Sequence, residues 1–226
     1  DAGVSLLTEL RQAIGKSAGN SVLLPEGLYA QLYLDGNGQG PIMEIPRFKE
    51  LDVILEKEEL KALNCFDELI GDVVMACREG FNLIEEGEHI PLGLHGSLVE
   101  ECMKVPLILW GSGVAKRTIA FTEVVDIAPT IVRFMGLKYQ NFDGRPLMES
   151  FDNIEKTKLD EISKLTENLR LKYREKIGLI RQISDLKRAR ADGKLGQKEF
   201  EEDILKLRES LIAAKSDYER IKQLLK

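Results

Sequence analysis

Side chains that can hold a metal ion are few in this chain, and His95 has the surroundings best suited to that role. The sequence contains two histidines, His89 and His95. His95 lies between Gly93 and Gly96, on a predicted loop that leads to an apolar run at residues 105–110. Loops at strand ends usually carry the functional residues of α/β proteins, and neutral imidazole is a common ligand of zinc and similar metals. His95 is therefore the candidate metal ligand, and the alternative is a loop histidine that hydrogen-bonds only its neighbours.

Other polar residues have weaker claims to a chemical role. His89 follows several glutamates and is interpreted as a solvated loop residue, and the adjacent Glu100 and Glu101 are more typical of a helix start than of an acid–base pair. Arg145, in the Asp-Gly-Arg motif, has the geometry to contact a phosphate, but a tight turn is the favoured interpretation. A basic group near the end of a predicted helix is interpreted as a solvated helix end, with docking of an acidic partner or of membrane headgroups as the alternative. Its members are Lys187, Arg188, Arg190, Lys194 and Lys198.

The predicted elements that would position His95 indicate an α/β domain. Residues 105–110 are apolar throughout, which is typical of a strand buried on both faces of a sheet. Residues 35–38, Asp-Gly-Asn-Gly, are a strong turn signal between a strand and its hairpin partner. Apolar periodicity predicts helices at residues 4–14, 58–63 and 122–135, and strands at residues 28–34, 42–45, 51–55 and 72–76. In the third helix Pro129 marks the first turn, so the alternative is a start nearer Ile127.

The C-terminal part of the chain has a different character. Residues 154–226 contain no proline, and from Phe200 to Leu225 apolar residues alternate spacings of four and three, which is a heptad seam. A looser apolar stripe runs from Ile162 to Leu186, and Asp192-Gly193 separates the two. This pattern predicts an antiparallel helical hairpin. Residues 1–151 carry a formal charge of −10 and residues 152–226 carry +4, so we place a domain boundary between them.

Several short motifs follow one another in a fixed order within residues 1–150. Upstream lie two of them, at residues 25–34 and 67–81. The others are His95-Gly96-Ser97, Glu101-Cys102-Met103-Lys104-Val105-Pro106-Leu107, Val125-Asp126-Ile127-Ala128-Pro129-Thr130-Ile131, Gly136-Leu137 and Asp143-Gly144-Arg145-Pro146-Leu147. In this order and at these spacings they resemble the C-terminal part of the alkaline phosphatase superfamily, in its branch of type I phosphodiesterases and nucleotide pyrophosphatases.

The resemblance implies a fold, a site and a substrate class. Residues 1–151 would be the C-terminal part of an alkaline-phosphatase-like domain with a small α+β cap segment, and residues 152–226 the appended coiled-coil hairpin. His95 would be one ligand of a site for divalent metal, zinc or manganese, in an enzyme that hydrolyses phosphodiesters or nucleotides. Family members also need a Ser or Thr nucleophile and an Asp-His-Gly motif, and this chain contains no Asp-His-Gly. We therefore expect a C-terminal fragment that is inactive alone, binds no metal and contains no catalytic residue.

Two other interpretations stay open. One is a non-catalytic interaction or assembly module that uses the hairpin as its working part, either in a homodimer or with another protein. The other is a fragment of a sulfatase or of a phosphoglycerate mutase relative. The pattern from Glu101 to Pro106 and the short segment between Gly80 and His95 favour the phosphodiesterase branch over these relatives.

Composition excludes several classes of protein. The net charge of −6 argues against a general nucleic-acid binder. Three cysteines without close pair spacing favour a reducing compartment, and we expect a cytoplasmic protein. No apolar run approaches the roughly 18 residues of a transmembrane helix.

Overall fold

A computed structural model of the chain describes residues 5–17, 21–35, 45–85, 87, 94–138 and 141–226. The described residues form two compact units, the first comprising Asp1–Val105 with Gly178–Ile212 and the second Pro106–Ile177 with Ala213–Lys226. The elements in chain order are α1 (Leu6–Ser17), β1 (Val22–Pro25), β2 (Tyr29–Tyr33), β3 (Leu51–Leu55), α2 (Lys57–Ala62), β4 (Val73–Cys77), α3 (Glu100–Met103), α4 (Ile127–Phe134), α5 (Lys156–Ala191) and α6 (Gln197–Leu224). Short 3-10 turns lie at Ile45–Arg47, Val124–Asp126 and Met148–Ser150.

The first unit is built on a small antiparallel sheet with strand order β1-β2-β4-β3. Side chains of β2 point alternately to the two faces of the sheet, and Ala30 and Leu32 are buried on one face. There they join a core that includes Leu7 and Leu10 of α1. This alternation is the period-2 pattern of a strand that packs one face against a helix. The strands predicted at residues 28–34, 51–55 and 72–76, and the helix predicted at residues 4–14, are confirmed to within two or three residues.

The opposite face of the sheet is covered by the tip of the helical hairpin. Val53 and Ala76 on the sheet share a core with Ile180 and Ile183 of α5 and Leu211 of α6. Helices therefore cover both faces of a four-stranded sheet. This explains why three of the five residues in the edge strand β3 are fully buried, although antiparallel sheets commonly leave one face in water.

The predicted helical hairpin is confirmed. α5 and α6 are joined by a short turn in which Gly193 has a φ of 73°, a conformation that glycine adopts without the steric cost of a Cβ atom. The turn is closed by a hydrogen bond from the Lys194 N–H to the Ala189 carbonyl. None of the described helices combines the length and apolarity needed to cross a membrane.

The second unit places α4 and the loop before α5 around the basal part of the hairpin. Phe121 and Met148 pack on a cluster that contains Leu169 of α5 and Tyr218 of α6. Gly144 lies against the start of α4, where a Cβ atom would fall 2.0 Å from the Val125 carbonyl oxygen, so the Asp-Gly-Arg turn needs its glycine here. The helix predicted within residues 122–135 begins at Ile127, the start that Pro129 in its first turn indicates, and a 3-10 turn precedes it.

One predicted strand is wrong. Residues 105–110 are not a strand, and their side chains are mostly exposed, with Ile108 84% and Trp110 95% accessible. Within the part of the chain that the structure describes, no backbone hydrogen bond is made by residues 106–110. The apolar run predicts burial, but a strand also needs a neighbour, and the sheet of the first unit does not include this segment. Residues 36–38 of the predicted turn and residues 42–44 of its hairpin partner lie outside the described residues.

Candidate metal-ligand site

His95 lies on a loop that crosses the end of the sheet in the first unit. The loop follows the undescribed residues 88–93 and runs to α3 without regular secondary structure. The His95 side chain is exposed, and no described residue forms a hydrogen bond or an ion pair with it. The imidazole is thus presented to solvent by the loop and is not part of the core.

The two residues after His95 attach the loop to the sheet. Gly96 has a φ of 89°, and a Cβ atom at this position would lie 2.6 Å from Cδ1 of Tyr29 in β2. Ser97 is buried, and its Oγ donates a hydrogen bond to the Cys77 carbonyl over 3.2 Å and accepts one from the Val99 N–H. The His-Gly-Ser motif therefore has a physical explanation: glycine permits the close approach to Tyr29, and serine fixes the loop at the end of β4.

The hairpin and a second glycine support both sides of the loop. Arg181 of α5 donates a hydrogen bond of 3.1 Å to the Leu98 carbonyl and pairs with Asp52 at 3.4 Å. On the other side, Leu94 lies against Gly27, where a Cβ atom would be 3.4 Å from Leu94 Cδ2. His95 is therefore flanked by residues that the sheet and the hairpin hold in place.

The described residues do not complete a metal site around His95. No group of three or more His, Cys, Asp and Glu side chains among them converges on one point. The nearby Cys77 is buried in the apolar core of the first unit, and burial together with the Glu50 carboxylate raises the pKa of its thiol to about 12. His89 lies outside the described residues, and Glu100 and Glu101 are described only by their backbone in α3. Catalytic zinc sites usually take three ligands from the protein, so the His95 imidazole alone does not make such a site.

Arg145 has a structural position in the second unit. It is 1% exposed and forms a two-pronged ion pair with Glu149, with distances of 2.9 and 2.7 Å. Its backbone N–H donates to the Asp126 carboxylate at 2.9 Å. Burial raises the pKa of Asp126, although hydrogen bonds from the N–H groups of Arg145 and Glu123 act in the opposite direction. The guanidinium of Arg145 is therefore engaged inside the fold and has no surface from which to contact a phosphate.

Two of the five basic residues at the hairpin tip, Lys187 and Arg188, hold the tip on the sheet and are not part of a solvated helix end. Lys187 is 4% exposed and donates to the Ile54 carbonyl at 3.1 Å and to Glu59 at 3.0 Å, and it pairs with Glu56 at 2.8 Å. Arg188 donates to the carbonyl oxygens of Leu51 and Asp52 at 2.7 and 2.5 Å. These two carbonyls lie at the β-bulge where the pairing of β3 with β4 shifts register, so Arg188 satisfies acceptors that the bulge leaves outside the ladder.

Sequence reasoning missed this buried network of charges. Arg208 of α6 joins it through hydrogen bonds to Glu59 at 2.9 Å and to Glu56 at 3.0 Å. The only signal in the sequence was the run of glutamates before and within α2, since two carboxylates on one helix turn next to a buried strand need cationic partners.

The comparisons with known proteins add no relative. Family models, curated proteins and solved structures yield no match to this chain.

Proposed function

We propose that this chain is the C-terminal part of a metal-dependent hydrolase of phosphodiesters or nucleotides, in which His95 is one ligand of a divalent metal ion. The observation that carries the proposal is the geometry of the His-Gly-Ser loop. Gly96 and Ser97 are both occupied in attaching the loop to β2 and β4, while His95 remains exposed and without a described partner. The order of motifs along residues 1–150 supports the family assignment.

The role of His95 follows from the chemistry of its side chain. An imidazole on this loop offers a nitrogen lone pair from a backbone position that Gly96 and Ser97 hold, which lowers the ordering cost of metal binding. A divalent metal, zinc or manganese, would supply charge that stabilises the attacking and leaving oxygens of a phosphoryl transfer. The remaining ligands and the nucleophile would come from residues outside this chain, so we assign no catalytic residue here and expect no turnover from the chain alone.

A direct test measures the metal content of a protein that joins this chain to the part proposed to contain the remaining metal ligands. Replacement of His95 by alanine should reduce the bound zinc or manganese, measured by elemental mass spectrometry, without changing the circular dichroism spectrum. The matched control is Ser163→Ala, because Ser163 is an exposed hydroxyl on α5 in the other unit. An unchanged metal content in His95→Ala would refute the proposed role.

The hairpin is best explained as a structural element whose apolar residues complete the core of each unit. Its buried apolar residues contact the sheet in the first unit and the Phe121 and Met148 loops in the second. An assembly module would instead keep an apolar seam free for a partner. We place the protein in the cytoplasm, an assignment supported by its three cysteines, none of which forms a disulfide.

A further inference from the structure

Residues 106–110 have backbone polar groups that no described residue satisfies. The segment has no regular secondary structure, and neither its N–H groups nor its carbonyl oxygens form a hydrogen bond with any described residue. Backbone groups of this kind pair with water or with another segment of polypeptide. Because the side chains around them are apolar, burial against another polypeptide is favoured over contact with water.

The side chains of the segment are apolar on both sides. In an extended chain, Leu107 and Leu109 point to one side and Ile108 and Trp110 to the other. Ile108 and Trp110 are almost fully exposed, and Leu107 is exposed as well. The segment contains no charged residue, although edge strands usually carry charges that discourage further pairing. The pattern is therefore that of a strand inside a sheet that is covered on both faces.

The chain that follows the segment is held in place within the second unit. An isolated β-bridge joins Val114 to Phe151, and the N–H of Ala115 donates to the Ser150 carbonyl over 2.8 Å. One end of the segment is thus fixed, and this lowers the conformational entropy that a neighbouring strand has to remove on pairing.

We infer that residues 106–110 are an inner strand of a sheet whose other strands belong to the proposed catalytic part. This inference rests on the proposed function, which places the rest of the domain outside this chain. A sheet with helices on both faces would satisfy the backbone groups and would also cover both sets of side chains. Pro106 is the first residue of the segment, where its missing N–H interrupts no pairing inside the strand.

The other occupants satisfy only one of the two requirements. A second copy of the chain would supply one neighbouring strand, and a two-stranded ribbon leaves its faces in water and is marginally stable at best. A lipid surface would cover the side chains but would leave the backbone groups unpaired in hydrocarbon, which is unfavourable.

The experiment compares amide hydrogen exchange at residues 107–110 in this chain alone and in a protein that joins it to its proposed catalytic part. The chain alone should exchange at nearly the unprotected rate. In the joined protein exchange should slow by about 100-fold or more, because core strands open with free energies that approach that of global unfolding. Equal exchange in the two proteins would overturn the inference. Slowing in the chain alone as its concentration rises, or on addition of phosphatidylserine vesicles, would overturn it in favour of a second copy or a lipid surface.

The variant Ile108→Lys provides a second readout. In the joined protein the lysine would be buried in the sheet, so the Tm should fall by about 5 °C or more. In the chain alone, where Ile108 is exposed, the Tm should stay within about 1 °C of wild type. The matched control is Ile212→Lys on α6, an exposed isoleucine of the first unit, which should leave both values unchanged. An unchanged Tm of the joined protein in Ile108→Lys would contradict the inference.

Failure of the proposed function gives a different result. Slowed exchange at residues 107–110 in a joined protein whose metal content does not depend on His95 would refute the metal-ligand role and support the strand. Loss of metal in His95→Ala without slowed exchange in the wild type would support the metal-ligand role and refute the strand.

Discussion

Gly96 lies so close to Tyr29 that a single added methyl group would come within 2.6 Å of the tyrosine ring. This contact joins the His95 loop to the central part of the sheet. Because Gly96 also has a φ of 89°, both space and backbone conformation favour glycine at this position. The placement of the candidate metal ligand therefore depends on a residue that carries no side chain.

Replacing Gly96 with alanine should destabilise the first unit. We expect a loss of about 1–3 kcal/mol, since overpacking a close contact costs this much and an alanine at positive φ adds strain. The matched control is Gly15→Ala, in helix α1, where nothing lies within 4 Å of the added Cβ atom and alanine should stabilise by about 0.5–1 kcal/mol. Urea unfolding measures both, and equal effects of the two substitutions would contradict the account of the loop.

The buried charge network at the hairpin tip should dominate the stability of the contact between the tip and the sheet. Lys187→Met leaves the buried Glu59 short of a partner, and breaking a buried pair in this way costs about 3–5 kcal/mol. Lys206→Met, which removes the exposed pair with Asp203, should cost less than about 1 kcal/mol. Chemical denaturation of the two variants compares these losses, and a small effect of Lys187→Met would show that the network contributes little.

The same network should make stability depend on pH. Burial alone would raise the pKa of Glu56, but Lys187 and Arg208 outweigh burial and lower it below 4.5. The unfolded chain therefore binds the proton more readily, and this stabilisation is present above about pH 4.5 and lost as the pH falls through the folded pKa. The free energy of unfolding should decline in acid, and Glu56→Gln should flatten that decline.

The control for this pH dependence is Glu58→Gln. Glu58 has a half-exposed side chain and a longer contact of 3.6 Å with Arg208, so its replacement should leave the slope of stability against pH almost unchanged. Thermal unfolding at several pH values separates the two variants. The same slope in Glu56→Gln as in wild type would mean that other carboxylates carry the effect.

Sequence periodicity predicted much of this fold, and long-range contacts account for what it missed. The hairpin and the strands near residues 51–55 and 72–76 follow from local spacing of apolar residues, which a sequence displays directly. Residues 105–110 show the limit, because an apolar run indicates that a segment favours burial but does not show that a neighbouring strand exists. Lys187 and Glu59 lie 128 positions apart, so no local pattern indicates that they meet.

The candidate site was predictable only in part. The glycine-flanked context of His95 singled out this histidine, whose role stays a prediction, and the contacts of Gly96 and Ser97 with β2 and β4 are visible only in the folded chain. Arg145 had a motif that suits phosphate binding, and only the structure shows its guanidinium inside the fold against Glu149.

The chain by itself should be inactive. Because the chain contains no Asp-His-Gly motif, which the enzymes it resembles need, we expect no hydrolysis of bis-p-nitrophenyl phosphate above background with added zinc or manganese. The measurement is the release of nitrophenolate by purified chain, with His95→Ala as the comparison. Turnover that persists through purification and disappears in His95→Ala would show that the chain contains a complete site, contrary to the fragment interpretation.

The most direct test of the central claim is phosphodiester hydrolysis by a protein that joins this chain to its proposed catalytic part, compared between His95→Ala and His89→Ala. His95→Ala should lower the rate by about 100-fold or more, since the loss of an outer-shell partner alone costs about 10–100-fold, and the variant should remain folded. His89→Ala should change the rate little. Equal losses in the two variants, or full activity in His95→Ala, would contradict the assignment of His95 as a metal ligand.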